Sequence, residues 1–129
     1  MTAFVDTSAL YALLDEDDAN HSRAGAILSR LRGRDLVTHS YVVVEAVALV
    51  SRRLGWAAVE HLIDGILPVV RVMMVDEPTH ATALRAFRGA GSGRVSLVDQ
   101  ASFAVMRAEG ISQAFAFDSD FATEGFSEA

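Results

Sequence analysis

Along the chain, short runs in which every position is apolar alternate with stretches whose apolar residues recur every three or four positions. The first pattern is that of strands buried on both faces and the second that of amphipathic helices. Their alternation predicts a parallel sheet packed between helices. Phe4-Val5 opens a short first strand. Thr7 and Ser8 are helix-capping types, and residues 9–14 after them predict a first helix that ends in the acidic run 15–18. A second helix fits residues 20–33, with Ala24, Ile27, Leu28 and Leu31 on one face. Leu36-Val37-Thr38 predicts a second strand, and His39-Ser40 leads into a long helix carrying Val43, Val44, Val47, Leu49 and Val50 and closed by Gly55.

A fourth helix is expected from Trp56 to Leu67, ended by Pro68, and residues 69–75 after it are the most β-like run of the chain. Pro78 suits the first turn of a helix over 79–88. Residues 88–94 read as a glycine-rich loop, not a phosphate cradle, because no Gly-Lys-Ser/Thr follows. Ser96-Leu97-Val98-Asp99 opens a helix reaching about Glu109, Ala114-Phe115-Ala116-Phe117 is the last strand, and a polar tail follows Asp118. With no repeat, linker or low-complexity segment, residues 1–129 read as a single α/β domain.

Composition narrows the chemistry. The 129 residues hold no cysteine, which excludes a disulfide scaffold, thiolate metal sites and a thiol nucleophile, and suits a reducing compartment. All 11 basic residues are arginine. The absence of lysine removes Schiff-base chemistry, the P-loop, and the lysine partner that phosphate-handling aspartate sites use. The formal net charge of −6 argues against holding nucleic acid through bulk positive charge, though not against an enzyme that acts on it. No basic region precedes the first apolar run and no stretch approaches the ~20 apolar residues of a membrane span, so the expected address is the cytoplasm.

Asp6 and Asp118 each follow an apolar strand directly, at the sheet edge where open parallel sheets bind ligands. Glu45 lies about one turn into the helix after the second strand, among small and apolar neighbours where an unpaired carboxylate is costly. Asp99 lies in the first turn of the helix feeding the last strand, so four acids from distant segments converge on one edge. At about 6 Å separation and an effective dielectric near 20, each pair of carboxylates repels by roughly 3 kcal/mol. Shared protons, arginine partners or a divalent cation relieve this, and an all-oxygen acidic site suits Mg²⁺ or Mn²⁺.

Asp6-Thr7-Ser8 after a strand, Glu45 on a helix, Ser96-x-x-Asp99 opening a helix, and Phe117-Asp118-Ser119-Asp120-Phe121 after the last strand together resemble the four-part acidic signature of the PIN domain. Order and spacing match over nearly the whole chain, and the length is similar to that of VapC-type toxins of bacterial type II toxin–antitoxin pairs. The resemblance implies a three-layer α/β/α fold around a short parallel sheet of four to five strands. It also implies a Mg²⁺-dependent endoribonuclease, usually dimeric, neutralised by a small VapB-type antitoxin. In that reading Asp6, Glu45, Asp99 and Asp118 are catalytic, and Asp6, Asp99, Asp118 and Asp120 are the metal-ligand candidates. Asp118 and Asp120 both stand where the last acids belong, and either can be the direct ligand. Mn²⁺ would substitute for Mg²⁺.

Thr7, Ser8 and Ser96 are candidates to support the metal ligands, although as helix caps they would look the same. Arg23, Arg30 and Arg34 fall on one side of the second helix, and Arg94 precedes the Asp99 helix; together they are RNA-contact candidates, with solvated arginines as the plain alternative. His21, His39, His61 and His80 read as solvated residues, His21 and His39 being the two that loops at the sheet edge could bring near the site. Leu10, Tyr11, Leu13 and Leu14 exceed one helix stripe, and Trp56 opens a helix where an exposed aromatic suggests a partner, with core packing or a homodimer as the alternative. Two other functions compete: a non-catalytic PIN-like RNA- or metal-binding module, and an aspartate-dependent phosphatase or phospho-acceptor domain. The second lacks its lysine and has Ser8 where it wants an aspartate.

Overall fold

The computed structural model describes residues 1–129. Strand β1 (Thr2–Val5) leads into helix α1 (Thr7–Leu14) and α2 (His21–Arg30); β2 (Asp35–His39) leads into α3 (Ser40–Leu54) and α4 (Trp56–His61). Then come β3 (Arg71–Met73), α5 (Glu77–Ala90), α6 (Leu97–Glu109), β4 (Gln113–Phe115), α7 (Asp120–Thr123) and β5 (Ser127–Glu128). All five strands are parallel, in the order β3-β2-β1-β4-β5. The chain therefore starts at the centre, moves one way to β3, and returns past its start to β4. Right-handed crossovers then place α1–α4 on one face and α5–α6 on the other, giving the expected three layers. No helix is long and apolar enough to cross a membrane.

The central strands are buried on both faces, as their unbroken apolar runs require. Ala3, Phe4 and Val5 of β1 and Leu36, Val37 and Thr38 of β2 are all buried. The Thr38 hydroxyl is satisfied by donating to the Val5 carbonyl at 2.7 Å, which ties the ends of β1 and β2 together. Phe121 stacks on Phe4 at a centroid distance of 6.1 Å and meets Phe103 of α6 edge-on at 5.0 Å. Their packing anchors α7, and with it the loop after β4, to the sheet.

Several elements differ from their expected form. Helix 56–67 is α-helical only to His61; residues Leu62–Ile66 form a π turn and Leu67–Val69 a 3₁₀ turn. Gly65 sits against the His61 ring, where an added Cβ would lie 2.8 Å from it, so the widened turn folds back over that side chain. Pro68 continues this turn instead of ending it, which shortens the β-like run 69–75 to Arg71–Met73. The polar tail contains β5, two residues with no readable period. The surplus apolar residues of α1 are absorbed by the core: Leu10 is buried and Tyr11, Leu13 and Leu14 pack against the cluster, whereas Trp56 remains 70% exposed.

Candidate metal centre

Asp6 is the N-cap of α1, with an extended backbone that turns the chain from strand into helix. Its amide donates to the Phe115 carbonyl at 3.0 Å, and its Oδ2 accepts from the Ser8 amide at 3.2 Å and the Ser8 hydroxyl at 2.7 Å. Ser8 Oγ in turn accepts from the Phe117 amide at 3.0 Å. Ser8 is thus both a first-turn residue and a link between Asp6 and the segment that delivers Asp118. On α6, Ser96 is the N-cap and accepts from the Asp99 amide at 3.0 Å, which fixes the first turn bearing Asp99. Asp118 holds its own loop: its Oδ1 accepts from the Asp120 amide at 2.7 Å.

These segments deliver Asp6, Asp99 and Asp118 to one point. Each offers a carboxylate oxygen, and the three oxygens lie within 4.8 Å of one another. They line a cleft of about 390 Å³ together with Thr7, Ser8, Glu45, Ser96, Asp120 and Arg94. Asp120 shares the cleft without joining the close group of three. Glu45 is half-buried, and its long side chain reaches the cleft from an otherwise apolar stretch of α3.

Burial pushes the Asp6 carboxyl up to about 6. Asp99 is pushed up to about 8, first by burial and then by the charges of Asp6, Asp118 and Glu45. Asp120 is also raised, by burial and by its contact with Asp118. Against this, Asp6 Oδ1 and Thr7 Oγ1 are buried with no hydrogen-bond partner. A buried carboxylate oxygen with no hydrogen-bond donor keeps its lone pairs free to ligate a cation. The donor set is all oxygen, which fits a hard divalent ion.

The arginine candidates divide. Arg94 lines the acid cleft. Arg23, Arg30 and Arg34 line a separate cavity of about 710 Å³ between α2 and β5, where Arg23 pairs with Glu128 at 3.3 Å and Arg30 donates to the Ala129 carbonyl at 3.1 Å. Arg34 bonds Gln113 at the amino end of β4, opposite the acid edge. The solvated reading of the histidines fails for His39, which is fully buried and bonds Ser102 Oγ at 2.8 Å. Its place at a strand end just before a helix is a capping position, the one signal in the sequence for its role. His21 is half-buried with Nδ1 2.8 Å from the Ala12 carbonyl, whereas His61 and His80 are exposed, His80 against the Tyr41 hydroxyl.

Residues 3–125 match the PIN domain family. Over 126 residues, 97% of this chain and 95% of the relative, the sequence is 37% identical to a protein of Mycobacterium tuberculosis strain H37Rv named 23S rRNA-specific endonuclease VapC20. Among solved structures, it superposes on Mycobacterium tuberculosis VapC20, described as a sarcin–ricin loop cleaving toxin, with a TM-score of 0.90 and 35% identity over 100% of this chain and 98% of that one. FitAcB from Neisseria gonorrhoeae shares the fold, with a TM-score of 0.74 at 20% identity over 99% and 96% of the two chains. With a family match that spans nearly the whole chain, and with the signature acids gathered at one edge of its sheet, the protein belongs to the PIN domain family.

Proposed function

We propose that this protein is a Mg²⁺-dependent endoribonuclease that acts as the toxin of a toxin–antitoxin pair. The observation that carries the reading is the group of three aspartate oxygens within 4.8 Å, one aspartate keeping a buried, unpartnered oxygen. Asp6, Asp99 and Asp118 would hold the cation, and Glu45 and Asp120 line the same cleft. When bound, such an ion supplies an activated water and stabilises charge on a phosphodiester.

The chain's own residues supply the positioning. Ser8 and Ser96 hold Asp6 and Asp99 through the hydrogen bonds of their first helical turns. Thr7 also lines the cleft, and its buried hydroxyl has no hydrogen-bond partner of its own. Glu45, the remaining carboxylate of the cleft wall, would be the group to accept a proton there. Arg94 is the guanidinium available for the substrate phosphate, and the Arg23, Arg30 and Arg34 cavity offers a second backbone contact along the flank. No side-chain nucleophile is needed.

Similarity to VapC20 over nearly the full length makes 23S rRNA and its sarcin–ricin loop the first substrate to try. The resemblance supports a homodimer in the cytoplasm, neutralised by a small VapB-type antitoxin, and an acid-lined cleft is a receptor for an inserted arginine. The test is incubation of purified protein with ribosomes and total RNA in Mg²⁺, followed by mapping of new ends. Cleavage at a defined site by the wild type, and none by Asp6→Asn or Asp99→Asn, is the expected result. Cleavage by both variants would contradict the assignment. Binding of RNA or metal without cleavage would favour a non-catalytic module.

A further inference from the structure

Resting on the metal-dependent reading of the cleft, we propose that His39 and Ser102 are positioning residues. Their buried hydrogen bond braces α3 against α6 and so holds Glu45 and Asp99 in one cleft, which keeps the Asp99 carboxylate in place for the cation.

His39 ends β2, and its ring is fully enclosed between Phe4, at a centroid distance of 5.6 Å, and the edge-on Tyr41 at 5.8 Å. Its Nδ1 accepts from the Tyr41 amide at 3.2 Å and the Val42 amide at 3.4 Å, capping α3. A nitrogen that accepts carries no proton, so the proton is on Nε2. Nε2 therefore donates to Ser102 Oγ at 2.8 Å, and the Ser102 hydroxyl donates onward to the Val98 carbonyl at 3.0 Å. The bonds run in one direction, from α3 amides through imidazole and hydroxyl to the backbone of α6. Burial keeps the ring neutral by pushing it down to about 4, so the relay does not change across neutral pH.

Each end of the relay lies one helical turn from an acid of the cleft. Asp99 is three residues before Ser102, on the same face of α6, and Glu45 is three residues after Val42, on the same face of α3. No other hydrogen bond or ion pair joins these helices. They also have reason to separate, because the Glu45 charge opposes ionisation of Asp99. A neutral brace resists that repulsion without adding charge of its own.

The test compares full-length wild type, Ser102→Ala and His39→Asn by calorimetric titration with Mn²⁺ well below the melting temperature. Ser102→Ala removes the link and leaves the cap. His39→Asn keeps a capping oxygen for α3 but does not reach Ser102, so it decides the matter even where Ser102→Ala fails to fold. Outer-shell changes weaken metal binding by about 10–100-fold, and this more remote brace should weaken it by about 3–10-fold, with cleavage returning to the wild-type maximal rate at high Mn²⁺. A folded variant that binds Mn²⁺ as tightly as the wild type would overturn the proposal and leave the pair a stabilising contact only. A wild type that binds no Mn²⁺ would instead overturn the metal-centre reading beneath it.

Discussion

The Ser8 hydroxyl lies 2.7 Å from Asp6 Oδ2, and through its own contact with the Phe117 amide it ties the first aspartate to the segment carrying Asp118. One small side chain thus couples β1 to β4 at the point where the carboxylates meet. Replacing Ser8 with Ala leaves the Phe117 amide without its partner and leaves Asp6 Oδ2 held by the residue 8 amide alone. The expected loss is about 1–3 kcal/mol of stability and about tenfold or more in metal affinity, measured by thermal unfolding and Mn²⁺ titration. Unchanged values in both would remove Ser8 from the site.

Asp99→Asn should abolish cleavage while raising the melting temperature of the metal-free protein by a few degrees at pH 7.5. The substitution keeps the shape and removes a carboxyl whose ionisation, free in the unfolded chain, is opposed in the fold by burial and by the charges of Asp6, Asp118 and Glu45. A lowered melting temperature would mean that the carboxylate contributes to folding and that the repulsion has been overestimated.

The metal-free protein should lose stability as the pH rises from 6.5 to 8. Asp99 titrates near 8 when folded, against about 4 for a free aspartate, so the folded chain holds the extra proton and releases it on unfolding. Below pH 6.5, where Asp99 still holds its extra proton in the folded chain, two further groups act in opposite directions. Asp6, raised to about 6, favours the folded state toward acid, whereas His39, lowered to about 4, disfavours it. Saturating Mg²⁺ should flatten the slope between pH 6.5 and 8, because the ion takes the place of the proton. A flat profile in EDTA over that window would contradict the raised Asp99.

Arg94 is the one guanidinium that lines the acid cleft, and its charge acts on Asp120. Arg94→Gln is expected to raise KM about 5–10-fold with little change in kcat, and to reduce the salt dependence of RNA binding by about one phosphate contact. A change in kcat alone would place Arg94 in the chemistry instead.

Much of the site was legible because strand ends and helix starts carry local signals. Asp6 and Ser96 are capping types at the ends of apolar runs, and the topology of a parallel sheet brings such positions to one edge. What could not be read depends on three-dimensional packing. The helical spacing of Arg23, Arg30 and Arg34 is visible in the sequence, but which edge they reach is set by how α2 crosses the sheet, and they reach β5. Strand β5 itself is Ser-Glu, and it pairs only because β4 offers a free edge. Likewise His39 looks polar and exposed in isolation; its burial follows from Phe4, Tyr41 and Ser102 closing around it. Of Asp118 and Asp120, only Asp118 joins the close group of three, and its Oδ1 also accepts the Asp120 amide, an arrangement set by the folded loop.

The most direct test of a metal-held water as the attacking group is the chemistry of the cut ends. RNA cleaved by the wild type in Mg²⁺ should carry a 5′-phosphate and a 3′-hydroxyl, and excess EDTA should stop cleavage, with Mn²⁺ restoring it. A 2′,3′-cyclic phosphate formed in EDTA would contradict the account, because the RNA's own hydroxyl would then be the nucleophile and the aspartates would have no part in the step.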